Sequence, residues 1–428
     1  MSLNEKQQYA MQQVISGENT YISGSGGKGK SFLIKHLVEK FPESTVLMAP
    51  TGIAALNIGG ATIHSTFHFP TNILTKKYWT RTNAKAEELF AKDGPVKRII
   101  IDELSMVRSD VFECMDQQLR RIRRLNVPFG GLQVISVGDF YQLPPIVTPS
   151  EKNVFFEMFD SEFAFGGQAW SSAGFKHIEL VENMRQSDEE FRGHLEMIRV
   201  KGPTYKQSLA FFNKIGSQNL EYVLEKDPVF MCTVNKSADA INREHFDDLP
   251  GKIHTFFAKK GGEFKAEPAP YRLELKYGTK VMFVCNKGYE FRNGEIGYFL
   301  EVVGDKLLVL KESDESEILV DVNTWEDKEY VVNGGELDVV SKGSYKQYPI
   351  KQAWAVSVHK SQGLTLDNAV IEPGRGFFAS GQLYVALSRL RSLDGLGLMS
   401  DIYNKDVIVD PNVQEFYAND CKGIGIGF

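Results

Sequence analysis

Short runs of β-branched and other apolar residues recur through the first third of the chain without the polar alternation of a half-exposed strand. The clearest are Thr45–Ala49, Arg98–Ile101 and Leu132–Val137. Runs of this kind are typical of parallel strands that are buried on both faces. Stretches with apolar residues at helical spacing, such as Phe32–Val38, lie between them. This order predicts an α/β fold in which helices cover both faces of a parallel sheet.

The second half of the chain again shows apolar runs followed by stretches with helical spacing. Val229–Asn235 begins a strand–helix pair in a second α/β unit, which starts near residue 180, and Trp354–Val358 resumes that unit. We predict its closing strands at Ile371–Glu372 and Leu396–Met399, with a helix at 379–390. Between 250 and 350, short alternating strands with glycine turns indicate a small β-barrel inserted into this unit.

The N-terminal residues 4–17 are predicted to form an amphipathic helix. Its apolar residues are Tyr9, Met11, Val14 and Ile15. Gln7 and Gln8 also lie in this helix, and their spacing alone gives no reason to assign them a function.

Residues 62–94 interrupt the α/β pattern with interleaved basic and aromatic side chains, which include Lys76, Lys77, Tyr78, Trp79 and Arg81. Such interleaving is typical of surfaces that bind single-stranded nucleic acid. A small hairpin with its own miniature core, covering the edge of the sheet, would explain the composition equally well.

Composition describes an ordinary globular protein. The 428 residues are 42% hydrophobic and 24% charged, and the net charge of −6 shows no overall attraction to nucleic acid. Local basic surface matters more than the total, so nucleic acid is not excluded as a partner. The four cysteines form no CxxC pair, which argues against a zinc site and a disulfide framework. Without a signal segment or a long apolar run, we expect a cytoplasmic or nuclear protein and no membrane association.

The segment Gly24–Ser31 has the pattern G-x-x-x-x-G-K-S between a predicted strand and a predicted helix. In this context the loop N–H groups and the helix N-terminus surround a phosphate. Gly24 and Gly29 provide backbone angles that other residues avoid. Lys30 would reach the β- and γ-phosphates, and Ser31 would hold Mg²⁺. We therefore predict nucleotide binding.

Further candidates follow later strands of the predicted sheet. Asp102 and Glu103 end an apolar strand, where an Asp can hold Mg²⁺ through water and a Glu can activate the attacking water. Gln142 follows the next strand and can sense the γ-phosphate. Pro50 and Thr51 are candidates for substrate contact, although Thr51 can equally be a simple helix cap.

Four arginines lie among the five residues 120–124, at the end of a predicted helix at 110–125. They can be a solvated helix end that the helix dipole favours, or a contact to phosphate. We slightly favour the first interpretation.

In their order along the chain these motifs resemble the Pif1 family of DNA helicases, in superfamily 1B. The likeness extends from about residue 3 to residue 395. The segments that carry it are Leu3–Gln7, Gly24–Ser31, Ala49–Ser65, Ile101–Val107, Gly138–Pro145, Arg185–Gln186, Ser357–Thr365 and Tyr384–Arg389. Pro128–Gln133 resembles the end of the signature segment that separates Pif1 proteins from other helicases of the superfamily.

The resemblance implies two tandem RecA-like P-loop domains, each with an insertion. Domain 1A would comprise 1–61 and 95–178, with a small wedge domain 1B at 62–94. Domain 2A would comprise 179–249 and 351–428, with an SH3-like β-barrel domain 2B at 250–350.

It also implies a role for each matched residue. The catalytic residues would be Lys30, Asp102, Glu103, Gln142, Arg185 and Arg389, with the two arginines as arginine fingers. ATP would be bound by Gln7, which recognises adenine, and by Gly24, Gly26, Gly27, Gly29, Lys30, Ser31 and Gly363, and Mg²⁺ by Ser31 and Asp102. DNA would lie along Pro50, Thr51, His64, Phe67, Asn235, His359 and Lys360, with Phe67, Phe69, Tyr78 and Trp79 available for strand separation.

The implied activity is ATP-dependent 5′-to-3′ movement on single-stranded DNA with unwinding of duplexes. The expected partners are single-stranded, forked and G-quadruplex DNA, in DNA repair, recombination and telomere maintenance. We expect a minimal, monomeric bacterial or viral core that can oligomerise on DNA.

Two residues depart from the family pattern. Lys28 replaces the usual threonine of the loop, and it can either add a contact to phosphate or crowd the loop and slow turnover. Met184 replaces an aromatic residue before Arg185. Two alternative functions are a translocase or RNA helicase with the same motor, and a nucleic-acid-binding module whose ATPase is lost through Lys28.

Overall fold

Parallel strands form the centre of each half of the chain, as the apolar runs predict. The structure is a computed structural model that describes residues 3–182, 186 and 188–420. The helices are α1 (Glu5–Ile15), α2 (Lys30–Lys40), α3 (Gly52–Ile58), α4 (Ile63–Phe67), α5 (Lys76–Trp79), α6 (Ala84–Leu89), α7 (Ser109–Arg123), α8 (Lys152–Phe156), α9 (Gln168–Ala173), α10 (Glu189–Val200), α11 (Tyr205–Glu225), α12 (Asn235–Asp248), α13 (Gln382–Leu387) and α14 (Pro411–Asp420).

Along the chain, the strands occur in the order that the apolar runs and the later alternating runs predict. They are β1 (Thr20–Ser23), β2 (Thr45–Ala49), β3 (Ala61–Thr62), β4 (Arg98–Ile101), β5 (Gln133–Val137), β6 (Lys176–Glu179), β7 (Val229–Cys232), β8 (His254–Phe257), β9 (Lys259–Gly262), β10 (Arg272–Leu275), β11 (Lys280–Phe283), β12 (Ile296–Val303), β13 (Lys306–Lys311), β14 (Glu317–Val320), β15 (Asn323–Asn333), β16 (Glu336–Gln347), β17 (Ile350–Gln352), β18 (Ala355–Ser357), β19 (Ala369–Glu372) and β20 (Leu396–Leu398).

The chain divides into two units. The first comprises 1–184, 326–342 and 411–428, and the second comprises 185–325 and 343–410. The first unit contains a parallel sheet in the order β3-β2-β4-β5-β1-β6. Its strands β1, β4 and β5 are buried, and helices α1 and α2 pack against them through a core that includes Ile22, Leu33, Ile100 and Ile135.

The helix α1 confirms the predicted element but corrects its buried face. Gln7, Ala10 and Val14 are buried, whereas Tyr9 is 40% exposed and Ile15 is 51% exposed. The buried glutamine replaces the expected apolar residues because it contacts the phosphate loop, as described below.

The second unit contains a parallel sheet in the order β18-β7-β19-β20. The predicted strands at 371–372 and 396–399 are confirmed as β19 and β20. The predicted helix at 379–390 is shorter than expected, because Gly381 caps it in the left-handed conformation and the helix begins at Gln382.

The insertion at 62–94 contains the short helices α4, α5 and α6 and no hairpin. Its miniature core is a stack in which the Phe67 ring lies 5.2 Å from the rings of both Phe69 and Phe90. The miniature core is therefore confirmed, and the hairpin is not.

The insertion at 250–350 consists of β-strands, as predicted, although β15 and β16, with 11 and 12 residues, are longer than expected. An antiparallel sheet in the order β14-β13-β12-β11-β17 encloses a core that includes Phe283, Phe291, Phe299 and Val309. Two smaller sheets, β10-β8 and β15-β16-β9, accompany it. The SH3-like barrel remains a prediction.

Three domain boundaries differ from those predicted. Strand β6 pairs with β1 in parallel, so the first unit extends past residue 178. Residues 326–342 group with the first unit, since Glu329 makes an ion pair with Lys85 of α6 and the Leu47 N–H donates to the Tyr330 hydroxyl. The segment from Pro411 also groups with the first unit, because α14 packs its aromatic side chains there.

Two further predictions concern thiols and membranes. Cys114 and Cys232 are buried and Cys285 is half-buried, all three as free thiols, and Cys421 lies outside the described residues. Nowhere in the described part of the chain is a helix both long and apolar enough to cross a lipid bilayer.

Candidate functional site

The phosphate loop lies between the buried strand β1 and helix α2, as its sequence predicts. Gly29 caps α2 in the left-handed conformation at φ +77°, and Gly24 has φ +149°. A Cβ on Gly24 would lie 2.8 Å from the carbonyl oxygen of Leu180. Gly27, at φ +83°, is also left-handed. The loop can therefore bring its backbone N–H groups together at the start of α2, where an anion is favoured.

Lys30 folds back over this loop. Its Nζ donates to the carbonyl oxygens of Gly24 at 2.6 Å and Ser25 at 3.2 Å. Ser31 follows in the first turn of α2 with an exposed side chain. An ammonium group therefore contacts the loop, and an exposed serine follows it in the first turn of α2.

Lys28, the departure from the family pattern, is directed elsewhere. Its Nζ donates to the carbonyl oxygen of Val181, on the segment that follows β6. The side chain therefore links the loop to a neighbouring backbone segment within the first unit. This contact requires no displacement of Lys30.

Gln7 connects helix α1 to the phosphate loop. Its Oε1 accepts from the Asn4 N–H at 3.0 Å, and its Nε2 donates to the carbonyl of Gly29 at 3.3 Å. The side chain is fully buried, with 0% exposure. Helical spacing did not identify this residue, but the capping pair Asn4-x-x-Gln7 was a usable signal, because an N3 glutamine is fixed by its own helix start.

Asp102 and Glu103 end β4 within the same sheet. The Asp102 N–H donates to the carbonyl of Met48 at 2.9 Å, and the Glu103 N–H donates to Asp102 Oδ1 at 2.9 Å. Burial raises the pKa of Asp102 to about 7, the Glu103 carboxylate adds to this rise, and Lys30 opposes it. Glu103 is held at φ +49°, a left-handed conformation that is uncommon for residues other than glycine.

Gln142 lies on the loop that follows β5, and it is 7% exposed. Its N–H donates to the Asp139 carbonyl at 2.9 Å, and its Nε2 lies 3.4 Å from Asp139 Oδ2. A Cβ on Gly138 would lie 2.8 Å from the backbone N of Leu104, so the loops after β4 and β5 pack directly on each other. This packing joins the Gln142 loop to the loop that carries Glu103.

These loops all follow the carboxyl ends of adjacent parallel strands, in the order β4, β5 and β1. This edge of an open parallel sheet is where ligands bind. Lys30 influences the Asp102 carboxylate electrostatically, so the two side chains share one site. The sequence predicted each of these groups, and the fold brings them together.

The donor set is suitable for Mg²⁺ that is shared with a nucleotide. Ser31 and Asp102 offer oxygen atoms, which Mg²⁺ prefers, and Mg²⁺ in such sites completes its shell with phosphate oxygens and water. Among the described residues, no cluster of three or more His, Cys, Asp or Glu side chains forms a cage made of protein alone.

His177 is a neighbour of the loop that sequence reasoning missed. Its Nε2 lies 2.6 Å from the Ser23 Oγ at the end of β1, and its ring stacks on Tyr21 at 4.9 Å. His177 lies on β6, whose pairing with β1 is not apparent from local sequence.

The first unit also contains several predicted DNA contacts. Thr51 caps α3 through its Oγ1, which accepts from the Ala54 N–H at 3.2 Å, so the cap interpretation is confirmed and the DNA contact remains a prediction. Pro50 precedes it at the end of β2. Burial lowers the pKa of His64, whose ring meets Phe69 edge-on at 6.3 Å.

Phe67 requires a correction. It is 1% exposed, and the rings of Phe69 and Phe90 stack against it. A side chain in this position supports the insertion and cannot stack on a base. Its aromatic character, which suggested DNA binding, serves the miniature core instead.

Asn235 and Lys360 line a cavity of about 310 Å³ within the second unit. Asn235 Oδ1 accepts from the Ser357 hydroxyl at 2.6 Å. His359 stacks on Phe378 at 6.1 Å, and burial lowers the pKa of His359. The structure thus places two of the three predicted DNA contacts of this unit in one cavity.

Lys351 lines the same cavity and was not identified from the sequence. Burial lowers its pKa to about 8, and the charge of Lys360 acts in the same direction. The two lysines are nine positions apart and on different elements, so only the fold reveals their proximity.

The structure describes only one of the two predicted arginine fingers. Arg185 lies outside the described residues. Arg389 is 2% exposed. Its Nε donates to the Val385 carbonyl at 3.0 Å, and its Nη2 donates to Ser388 Oγ at 2.9 Å. Gly363, the nearby glycine, has φ +81°. The finger role of both arginines remains a prediction.

Known proteins resemble this chain along its whole length. The family model for PIF1-like helicase matches residues 2–199. Human ATP-dependent DNA helicase PIF1 is 32% identical over 98% of this chain, which spans only 64% of the human protein. Campylobacter jejuni ATP-dependent DNA helicase Pif1 is 30% identical over 95% of this chain and 96% of the relative.

Solved structures give the same result. Bacteroides sp. Pif1 in complex with ADP-AlF4 superposes with a TM-score of 0.90 at 30% identity, covering 99% of this chain and 98% of that one. Bacteroides Pif1 bound to single-stranded DNA has a TM-score of 0.69 at 31% identity, with the same coverage. With this likeness and the matching phosphate-loop site, the chain belongs to the Pif1 family of helicases.

Proposed function

We propose that this protein is an ATP-dependent DNA helicase that moves 5′ to 3′ on single-stranded DNA and unwinds duplexes. The observation that carries the proposal is the shared edge of the first sheet, where Lys30, Asp102 and the Gln142 loop follow adjacent strands. This combination of a glycine loop, a buried carboxyl and a polar side chain at one edge of the sheet supports the binding and hydrolysis of a nucleotide.

Each residue has a chemical role in the proposed hydrolysis. Lys30 and the N–H groups of the loop bind the β- and γ-phosphates, and Gln7, whose Nε2 donates to the Gly29 carbonyl, recognises adenine. Ser31 and Asp102 hold Mg²⁺, which neutralises phosphate charge when bound. Glu103 accepts the proton of the water that attacks the γ-phosphorus, and the bond from that phosphorus to the β–γ bridging oxygen breaks.

DNA as the substrate is supported by the relatives and by the predicted contacts. One solved structure shows Bacteroides Pif1 bound to single-stranded DNA, and a separate one concerns DNA unwinding at forked duplexes by two coordinating Pif1 helicases. In this chain Thr51 and His64 of the first unit, with Asn235, His359 and Lys360 of the second, are the proposed contacts.

Finer properties rest on the family resemblance. We include in the proposal a role for Arg185 and Arg389 as arginine fingers, activity on G-quadruplexes, and a monomeric core that can pair on forked DNA. A cytoplasmic location belongs to the same proposal.

The test is ATP hydrolysis by the purified protein with and without oligo-dT, in parallel with Lys30→Ala and Glu103→Gln. We expect DNA to stimulate the wild type. Glu103→Gln should lower the stimulated rate by about 10²–10⁴-fold, since a positioned base contributes this much. Unwinding of duplexes with a 5′ or a 3′ tail then tests the polarity.

Asp160→Asn is a matched control, because Asp160 is an exposed carboxylate outside the site, and it should leave the rate unchanged. Hydrolysis that is indifferent to DNA would contradict the helicase function. Equal unwinding from both tails would contradict the polarity only.

A further inference from the structure

A basic cleft lies between helix α5 of the insertion and the C-terminal end of α7. Its volume is about 450 Å³, and its lining includes Lys76, Trp79, Arg120, Arg121 and Arg124. None of the residues that line it is acidic. The residues proposed above to bind ATP, or the DNA strand along which the helicase moves, do not line this cleft.

The walls of the cleft are held together by a buried side chain. Gln118 of α7 is 1% exposed, and its Nε2 donates to the carbonyl of Tyr78 at 2.9 Å and to that of Arg81 at 2.7 Å. These contacts tie the backbone around α5 to α7. The basic groups of the two elements therefore face one cleft in a prearranged geometry.

Of the four arginines at the end of α7, two side chains bond to other protein groups and, among the described residues, two do not. Arg123 is buried and donates to the Gly130 carbonyl at 2.6 Å. Arg120 pairs with the buried Asp116 at 2.7 Å. Arg121 and Arg124 are exposed, and neither side chain has a hydrogen bond or ion pair to any residue that the structure describes.

The helix dipole alone does not explain this arrangement. It favours cations in the last turn of α7, but it has no effect on the placement of Lys76 and Trp79, which come from another element. Lys76 Nζ lies 5.7 Å from the centre of the Trp79 ring. An aromatic ring among cations is the usual composition of a groove for single-stranded nucleic acid.

Trp79 adds an unused donor. Its indole Nε1 is buried and has no hydrogen-bond partner among the described residues. A buried tryptophan N–H normally has a partner, so this unsatisfied donor is an unusual feature of a residue that lines the cleft.

On another side of Trp79 the charged side chains are mostly acidic. A second cavity, which Trp79 and Lys76 also line, contains the four acidic residues Glu113, Glu157, Asp160 and Glu415. An anionic strand would be repelled there and attracted to the cleft at Arg121 and Arg124. The difference in charge between the two cavities therefore favours the cleft at Arg121 and Arg124 as the anion site.

We propose that this cleft binds the phosphate backbone of the displaced single strand at a fork. The inference rests on the proposed helicase function and extends it to the strand that is not tracked. A single strand is favoured over a duplex because its bases are free to contact Trp79 while its phosphates reach the two arginines.

The test compares wild type with the double variant Arg121→Gln/Arg124→Gln on three DNAs. These are oligo-dT, a duplex with a 5′ tail, and the same duplex with an added 3′ flap. Affinities are measured by fluorescence anisotropy at several salt concentrations. We expect the flap to tighten wild-type binding about three- to tenfold and the variant to lose this gain.

The salt dependence gives a second readout. For the flapped fork, the slope of log Kd against log salt should fall by about 0.7 for each lost phosphate contact, hence by about 1.4 in the variant. Binding of oligo-dT and its stimulation of ATP hydrolysis should be unchanged. If wild type fails to bind oligo-dT at all, the proposed function fails, and that result is distinct from a missing flap effect.

The control is Lys35→Gln/Lys40→Gln on α2, which removes the same charge from two exposed positions of another helix. An equal loss in this control would overturn the proposal, because total charge would then explain the effect. An equal loss on the duplex without a flap would assign the cleft to the duplex arm and overturn the strand assignment.

Photocrosslinking provides evidence without altering the cleft. A flap that carries 5-iodouracil should crosslink to wild type at Trp79, and Trp79→Phe should reduce the yield. A crosslink only when the label is in the 5′ tail would overturn the proposal. Competition by an acidic peptide, with no effect of the flap, would identify a protein partner and also overturn it.

Discussion

Asp102 shows how the surroundings of one residue change the properties of its carboxyl group. It is buried beside the carboxylate of Glu103, and this raises its pKa to about 7. An ionised carboxylate in such a place is unfavourable until a cation neutralises it. The ionised carboxyl therefore lowers the stability of the free protein, a cost that the proposed Mg²⁺ would offset.

Asp102→Asn should raise the melting temperature of the nucleotide-free protein at pH 8.5 and abolish ATP hydrolysis. A folded-state pKa above the unfolded value means that the folded protein binds more protons, so the free energy of unfolding decreases as pH rises towards 7. The stabilisation should therefore shrink at pH 5.5. Thermal unfolding at both pH values measures it, and a gain independent of pH would contradict the assignment.

Lys28 shows that a substitution in a motif can be absorbed locally. The sequence left open whether this charge contacts phosphate or crowds the loop. In the structure it donates to the Val181 carbonyl, while Lys30 keeps the inner face of the loop. The loss of ATPase through Lys28 therefore has no support in the geometry of the loop.

Helix α14 is the element whose position was least expected. The Tyr417 hydroxyl lies 2.7 Å from the Tyr21 hydroxyl of β1, and its ring stacks on Tyr141 at 4.8 Å. Tyr141 directly precedes Gln142, so helix α14 supports the loop that carries Gln142.

Tyr417→Phe should destabilise the first unit by about 1–3 kcal/mol, because a hydrogen bond between buried groups is lost while the ring is kept. Urea unfolding followed by tryptophan fluorescence measures this change. Tyr403→Phe is the matched control, since Tyr403 is 58% exposed and should have little effect. Equal losses in both variants would contradict the packing role.

The insertion at 62–94 is held together by its own aromatic stack. Phe67→Ala should cost about 3–5 kcal/mol, as for other buried phenylalanines, whereas Phe67→Leu keeps most of the volume and should cost far less. Neither removes a DNA contact, so the Phe67→Leu variant should bind oligo-dT within twofold of wild type. A tenfold loss of affinity with unchanged stability would restore Phe67 as a DNA contact.

At the scale of the whole molecule, a net charge of −6 is compatible with DNA binding because the basic residues are grouped. In the second unit Lys351 and Lys360 line one cavity, and in the first unit Arg121 and Arg124 line another. At physiological salt, acidic residues farther away than the Debye length of about 8 Å have little effect on the attraction between such a cluster and DNA.

Lys360→Gln should lower the salt dependence of oligo-dT binding, with the slope of log Kd against log salt falling by about 0.7. Lys226→Gln removes the same charge from an exposed lysine outside the cavity and should leave the slope unchanged. Anisotropy titrations at several salt concentrations distinguish the two. Equal slopes in both variants would place the DNA elsewhere.

Much of this protein was determined by local sequence. Strand β1, the glycine loop and helix α2 are specified by adjacent residues, because φ angles and the exposure of backbone N–H groups depend on neighbours in the chain. Apolar runs likewise predicted β2, β4 and β5 and the acids that follow β4. The family resemblance then assigned a role to Gln7, which spacing alone did not.

Only the tertiary structure decided which distant segments meet. It placed α14 on the aromatic cluster of the first unit, buried Phe67 in the insertion, and brought Lys351 beside Lys360. It also separated Arg121 and Arg124 from Arg120 and Arg123, which local sequence could not distinguish. Local spacing sets backbone conformation and helix faces, whereas burial and partnership depend on contacts between residues far apart in the chain, and those exist only in the folded protein.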